Sequence, residues 1–153
     1  YDGVRYGHRA AEVKTLAELC GRSRNEGFTT ENKRRIMIGS FVLSSGFFDA
    51  YYMQAQKART LLINEFKQLF AEYDALLMPV APTPAFKLGE NTNDPIKMYL
   101  ADIMTVPASL AGLPAISVPA GTSDEGLPIG VQLIGDRQSD SNLLKLASEV
   151  EAA

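Results

Sequence analysis

The chain has 153 residues, 46% of them hydrophobic and 22% charged, with a net charge of −3. This supports a buried core of about one domain and the charge balance of an ordinary soluble protein. The basic run Lys33-Arg34-Arg35 is too short for direct nucleic-acid binding, no apolar stretch nears the roughly 20 residues that span a bilayer, and a single cysteine excludes an internal disulfide.

The sequence opens at Tyr1 and closes in the helix-like run Glu149-Val150-Glu151-Ala152-Ala153, so a piece of a larger protein is expected. Residues 1 to 9, rich in glycine and aromatics, read as a strand end or loop. Thr15 to Gly21 is a short helix ended by glycine, and Asn25-Glu26-Gly27 a turn. A second helix starts after Phe28, with Thr29 or Thr30 as cap and Glu31 at its positive end. It runs to about Leu43 with Ile36, Met37, Phe41 and Val42 as its apolar face. Ser44-Ser45-Gly46 weakens it.

Asp49 to Tyr73 is predicted as one long helix, with Ala55, Ala58, Leu62, Phe66 and Leu69 recurring at helical spacing. Ala75-Leu76-Leu77-Met78-Pro79 is a buried strand ended by its proline, and Pro79, Pro82 and Pro84 force an extended loop. Pro95 opens a half-buried helix carrying Ile96, Met98, Tyr99, Asp102, Ile103 and Met104, closed by Leu110-Ala111-Gly112-Leu113-Pro114. The strands Ala115–Pro119 and Pro128–Gly135, joined by a polar turn, form an antiparallel hairpin. A last helix starts near Asp140 or Ser141. Helices interleaved with apolar strands give an α/β domain in which a mixed β-sheet is flanked by helices.

Catalytic groups are scarce. Cys20 follows Leu16 and Leu19 in helical spacing and reads as a small buried hydrophobe; as a nucleophile it would need His8 as base. One histidine and one cysteine are too few for a zinc site. Ser44-Ser45 lies at a helix end, without the strand–turn–helix context of a nucleophile elbow. The scattered glycines Gly121, Gly126 and Gly130 make no phosphate loop.

Charged recognition is more promising. Arg34 and Arg35 point about 100° apart on one helix, so the reading gives them different jobs. One is solvated or ion-paired, and the other leans toward a pocket where its fork holds a carboxylate; the alternative is two surface charges. Asp102, among apolar neighbours, either faces solvent or has a cationic partner. If Arg35 and Asp102 serve one pocket, they match an α-amino acid: carboxylate to arginine, ammonium to aspartate.

The ordered motifs carry a resemblance. Asp2-Gly3-Val4-Arg5-Tyr6-Gly7, Ser23–Phe28, Lys33-Arg34-Arg35-Ile36, Leu43–Gly46 and Asp49–Tyr52 with Ala55-Gln56 are its first half. Pro82–Phe86 with Gly89-Glu90, Leu110–Pro114 and Ser117-Val118-Pro119 complete it. Together they resemble the C-terminal part of the glutamyl-tRNA(Gln) amidotransferase A-subunit family, within the wider amidase-signature family. The resemblance implies the C-terminal part of the amidase-signature fold, residues 1 to 153 forming one partial domain. It also implies a glutaminase that supplies ammonia to a partner subunit for ATP-dependent amidation of Glu-tRNA(Gln).

By the same resemblance the Ser–cis-Ser–Lys triad lies upstream of Tyr1, so this chain contributes no catalytic residue and is inactive alone. Arg35 corresponds to the arginine holding the glutamine α-carboxylate, and Asp102 to the aspartate holding its α-amino group; preferring Arg35 over Arg34 rests on the resemblance. No cofactor or metal is expected here, ATP and Mg being used at a partner subunit. The implied partners are glutamine, subunits B and C, and Glu-tRNA(Gln) through the complex, in the cytoplasm or a eukaryotic organelle, with no membrane. Ser109 and Ala120 stand where the family often has asparagine and cysteine. Another amidase-signature hydrolase, or a non-catalytic interaction fragment, are the alternatives.

Overall fold

The structure, a computed structural model, describes residues 5–152, so the part of the N-terminal reading that covers residues 1–4 lies outside it. The chain divides into two compact units, Tyr1–Ala55 and Gln56–Ala153.

In the first unit residues 5–15 are irregular, and α1 spans Leu16–Gly27. Thr15 caps it by accepting from the Glu18 backbone N–H. The helix runs six residues past the predicted stop at Gly21. A mid-helix glycine costs only about 1 kcal/mol, while Arg22 pairs with Glu26 one turn on and closes the Asn25-Glu26-Gly27 stretch as helix rather than turn. Leu19 and Ser23 face inward, and the Ser23 hydroxyl accepts from the buried Ala10 N–H at 3.0 Å.

Helix α2 spans Thr30–Val42 with Thr29 as its cap, close to the predicted limits. Its burial differs from expectation. No α2 residue is buried, and Ile36, Met37, Ile38 and Phe41 all stay more than half exposed. Apolar side chains on several faces suit a helix surrounded by protein, not one laid on a surface. Phe41 packs on Phe47 with tilted rings, centroids 4.1 Å apart, leading into a π-helical segment, Phe48–Met53. The predicted long helix from Asp49 is therefore π-helical in its first turn, and the α-helix α3 covers Gln54–Leu69.

The second unit is built on a three-stranded sheet of order β1-β3-β2, with β1 Ala75–Pro79, β2 Ala115–Thr122 and β3 Pro128–Gly135. Both pairings are antiparallel, and Leu133 of the central strand lies opposite Leu77 on one side and Ile116 on the other. The predicted hairpin is present, its ladder shifted between Pro119 and Thr122. Helix α6, Asp140–Ala152, lays Leu143 and Ala147 on Val118 and Leu133. By the two-residue alternation of a strand, Gln132 and Ile134 face the other way; both are buried, Ile134 completely.

The predicted helix from Pro95 to Leu110 is two helices, α4 Pro95–Ala101 and α5 Val106–Ala111, separated by a turn at 102–105. Pro107 is the reason. It has no N–H to donate, and within a continuous helix its ring would meet the carbonyl four residues back. The chain restarts instead, with Pro107 in the first turn of α5. Arg59 of α3 donates to the Leu110 carbonyl at 2.6 Å, tying α5 to α3. No helix among the described residues is long and apolar enough to cross a membrane.

Candidate functional site

Arg35 lies in the first unit, in the second turn of α2. Glu31 stands three and four residues before the two arginines. One of its oxygens takes Arg34 Nη1 at 2.6 Å, and the other takes Arg35 Nε at 2.9 Å. The angle between adjacent helical residues therefore does not separate these side chains. Positions i+3 and i+4 straddle residue i, and a two-oxygen carboxylate reaches both. The Arg35 guanidinium is held at Nε and remains largely solvent-accessible.

Asp102 lies in the second unit, at the C-terminal cap of α4, and is exposed. Within that unit, among the described residues, its carboxylate has no ion-pair partner. Its backbone holds the turn: the Asp102 carbonyl accepts from the Thr105 and Val106 N–H groups and from the Thr105 hydroxyl. The side chain is thus displayed by a turn whose bonds it does not make.

At the end of α4 that leads into this turn, Ala101 borders a cavity of about 430 Å³, otherwise bounded by Val80 to Phe86 of the proline loop and by Pro128, Ile129 and Gly130 at the start of β3. Gly130 is needed for the close approach of these walls. A Cβ there would stand 3.0 Å from Ser117 Oγ and 3.1 Å from Val80 Cγ1. Gln132, outside the cavity lining, ties neighbouring segments together: its Nε2 donates to the Met104 carbonyl at 2.7 Å and the Pro79 carbonyl at 3.3 Å. Two carbonyl partners fix which end of the amide is nitrogen. Gln132 is not among the residues singled out from sequence, although one polar residue inside Val131-Gln132-Leu133-Ile134 is a signal.

The other candidates are held locally. The Ser44 hydroxyl donates to the Phe41 carbonyl at 2.7 Å, in keeping with a helix-end serine. His8 Nε2 meets Glu26 Oε2 at 2.7 Å, and Cys20 is half-buried. The His8 contact, with help from Arg22 and against partial desolvation, holds the Glu26 carboxyl below its ordinary range.

The Amidase family model matches residues 1–144. The chain is 54% identical over all 153 residues to the glutamyl-tRNA(Gln) amidotransferase A-subunit of Koribacter versatilis, covering 32% of that protein. It is 56% identical over 151 residues, 99% of its length, to the protein of the same name from Brevibacillus brevis, covering 31% of it. Among solved structures, the Thermotoga maritima glutamyl-tRNA(Gln) amidotransferase A-subunit superposes with a TM-score of 0.63 at 49% identity, over 86% of this chain and 28% of that one. The chain thus spans about a third of the length of the curated relatives it matches. With this match and the α/β architecture together, the chain belongs to the amidase family.

Proposed function

We propose that this chain is the C-terminal, substrate-orienting portion of a larger amidase domain, in the glutaminase subunit of glutamyl-tRNA(Gln) amidotransferase. The observation that carries the reading is the similarity, above 50% identity over 99–100% of the chain, to subunits of that enzyme. The exposed apolar residues of α2 support the larger domain, since a helix of that composition is normally enclosed.

In this reading Arg35 holds the glutamine α-carboxylate through charge-assisted hydrogen bonds and Asp102 holds the α-ammonium. The two charges select an α-amino acid and set the direction from which its side-chain amide meets the nucleophile. The nucleophilic serine and its proton-relaying partners lie in the remaining part of the domain. Released ammonia passes to subunits B and C, where ATP and Mg activate Glu-tRNA(Gln) for amidation in the cytoplasm.

The test is glutamine hydrolysis by the full subunit in its complex. Arg35→Ala is expected to lower kcat/KM for glutamine on the order of 100-fold, the worth of a charge-assisted pair, and to leave a simple aliphatic amide within a few-fold. The isolated 153-residue chain is expected to release no ammonia. Equal losses on both amides, or turnover by the isolated chain, would reject the reading.

A further inference from the structure

We infer that Gln132 is a positioning residue for Asp102, locking the turn that displays it to the end of β1, where the cavity-lining proline loop begins. The inference rests on the substrate role proposed for Asp102. Its own support is geometric. Gln132 sits on the central strand, opposite Met78 and Ser117, and is 2% exposed. A polar side chain there is costly unless its hydrogen bonds are made. One of those bonds, to Pro79 53 residues back, stays within the sheet, crossing from β3 to the last residue of β1. The other leaves it, reaching 28 residues back to Met104.

The two acceptors are the informative part. Met104 lies two residues after Asp102, inside the turn, and Pro79 is where β1 gives way to the cavity-lining loop. One NH2 group therefore fixes the spacing between the segment carrying the charge and the segment forming the wall. An apolar residue of equal volume would fill the same space and leave both carbonyls without this donor. The turn would then keep its internal bonds from Thr105 and Val106 but lose its attachment to the sheet. Asp102 would sample more positions, and a ligand would have to order it again on binding. That lowers affinity for the group Asp102 recognises and leaves the bond-breaking step alone.

The experiment measures kcat and KM in the complete amidotransferase for glutamine and for the monoamide of glutaric acid, which is glutamine without its α-ammonium. Gln132→Met keeps the volume and removes the donor. It is expected to raise KM for glutamine about three- to tenfold, the worth of about one net hydrogen bond, with kcat within twofold and the monoamide little affected. In an Asp102→Asn background the same change should add nothing. Gln132→Glu is the second variant: once protonated, its carboxylic acid can donate to one of the two carbonyls, so its KM should fall toward the wild-type value as pH is lowered. Equal losses on both amides, a loss confined to kcat, additivity with Asp102→Asn, or failure of both Gln132 variants to fold would overturn the inference and leave Gln132 a stability element. If Asp102→Asn itself spares glutamine, the reading of Asp102 fails instead.

Discussion

Replacing Asp102 by asparagine isolates its charge, because the turn that displays it depends on the Asp102 backbone carbonyl and not on its carboxylate. Asparagine keeps the size and one acceptor oxygen. What it removes is the attraction for an ammonium, which at about 4 Å is worth about 1 kcal/mol in water-like surroundings and about 4 kcal/mol at a protein surface. Asp102 is exposed, so the lower half of that range applies, and hydrogen bonds to charged groups, at about 1.5–3 kcal/mol, agree. With a factor of ten per 1.4 kcal/mol, the overlap of the two ranges gives an expected loss in kcat/KM for glutamine of about 10- to 60-fold. The assay compares three amides on the complete enzyme: glutamine, glutaric monoamide without the ammonium, and 4-aminobutanamide without the carboxylate. The variant should lose on glutamine and on 4-aminobutanamide, and stay within about twofold on the monoamide, a residual set by the imperfect asparagine replacement. Parallel losses on glutamine and monoamide would show that Asp102 acts through the fold, and no loss at all would show that it does not meet the ammonium.

Two further outcomes test the supports of the site. Ile134 is completely buried on the Gln132 face of the central strand, so Ile134→Ala should cost about 2–5 kcal/mol and Ile134→Val about 0.5–1.5 kcal/mol in denaturant unfolding; a cost below about 0.5 kcal/mol for alanine, by that scale, would mean the face is not packed as described. Glu26 titrates below its ordinary range because of His8. Its contribution is therefore fully present above the unfolded-state pKa and lost as pH falls through the lower folded value. The Tm difference between the wild type and Glu26→Gln should accordingly shrink as pH falls through the carboxylate range and vanish below it. A difference that persists undiminished in strong acid would contradict the lowered Glu26 carboxyl.

Much of the second unit is legible in the sequence because its signals are local. The hairpin follows from two apolar runs around a glycine-containing polar turn, and β1 from a short apolar run closed by proline. Where structure and expectation part, the weight of one residue against its neighbours decides. Gly21 reads as a stop, yet the capped start at Thr15 and the Arg22–Glu26 pair outweigh one glycine. Pro107 carries no weight in a pattern of apolar spacing, yet it divides the helix that carries Asp102. The site divides the same way. Arg35 and Asp102 stand out as charges in apolar company, whereas Gln132 acts through acceptors 28 and 53 residues away, a relation no local pattern contains.

The exposure of Arg35 and Asp102 constrains how the proposed recognition can work. A zwitterion such as glutamine is strongly hydrated, and a charge pair in water returns only about 1 kcal/mol, too little to separate an amino acid from a simple amide. Selectivity on that scale needs the guanidinium and the carboxylate to be partly desolvated. Helix α2 carries the means for its half, because Ile36 next to Arg35 and Ile38 one turn on are apolar and more than half exposed. Enclosing them would lower the local dielectric around Arg35 and raise the value of Glu31, which then neutralises charge away from water. The proposed recognition is therefore a property of the enclosed domain: the chain supplies the charges and their mounts, and the surrounding protein makes those charges discriminating.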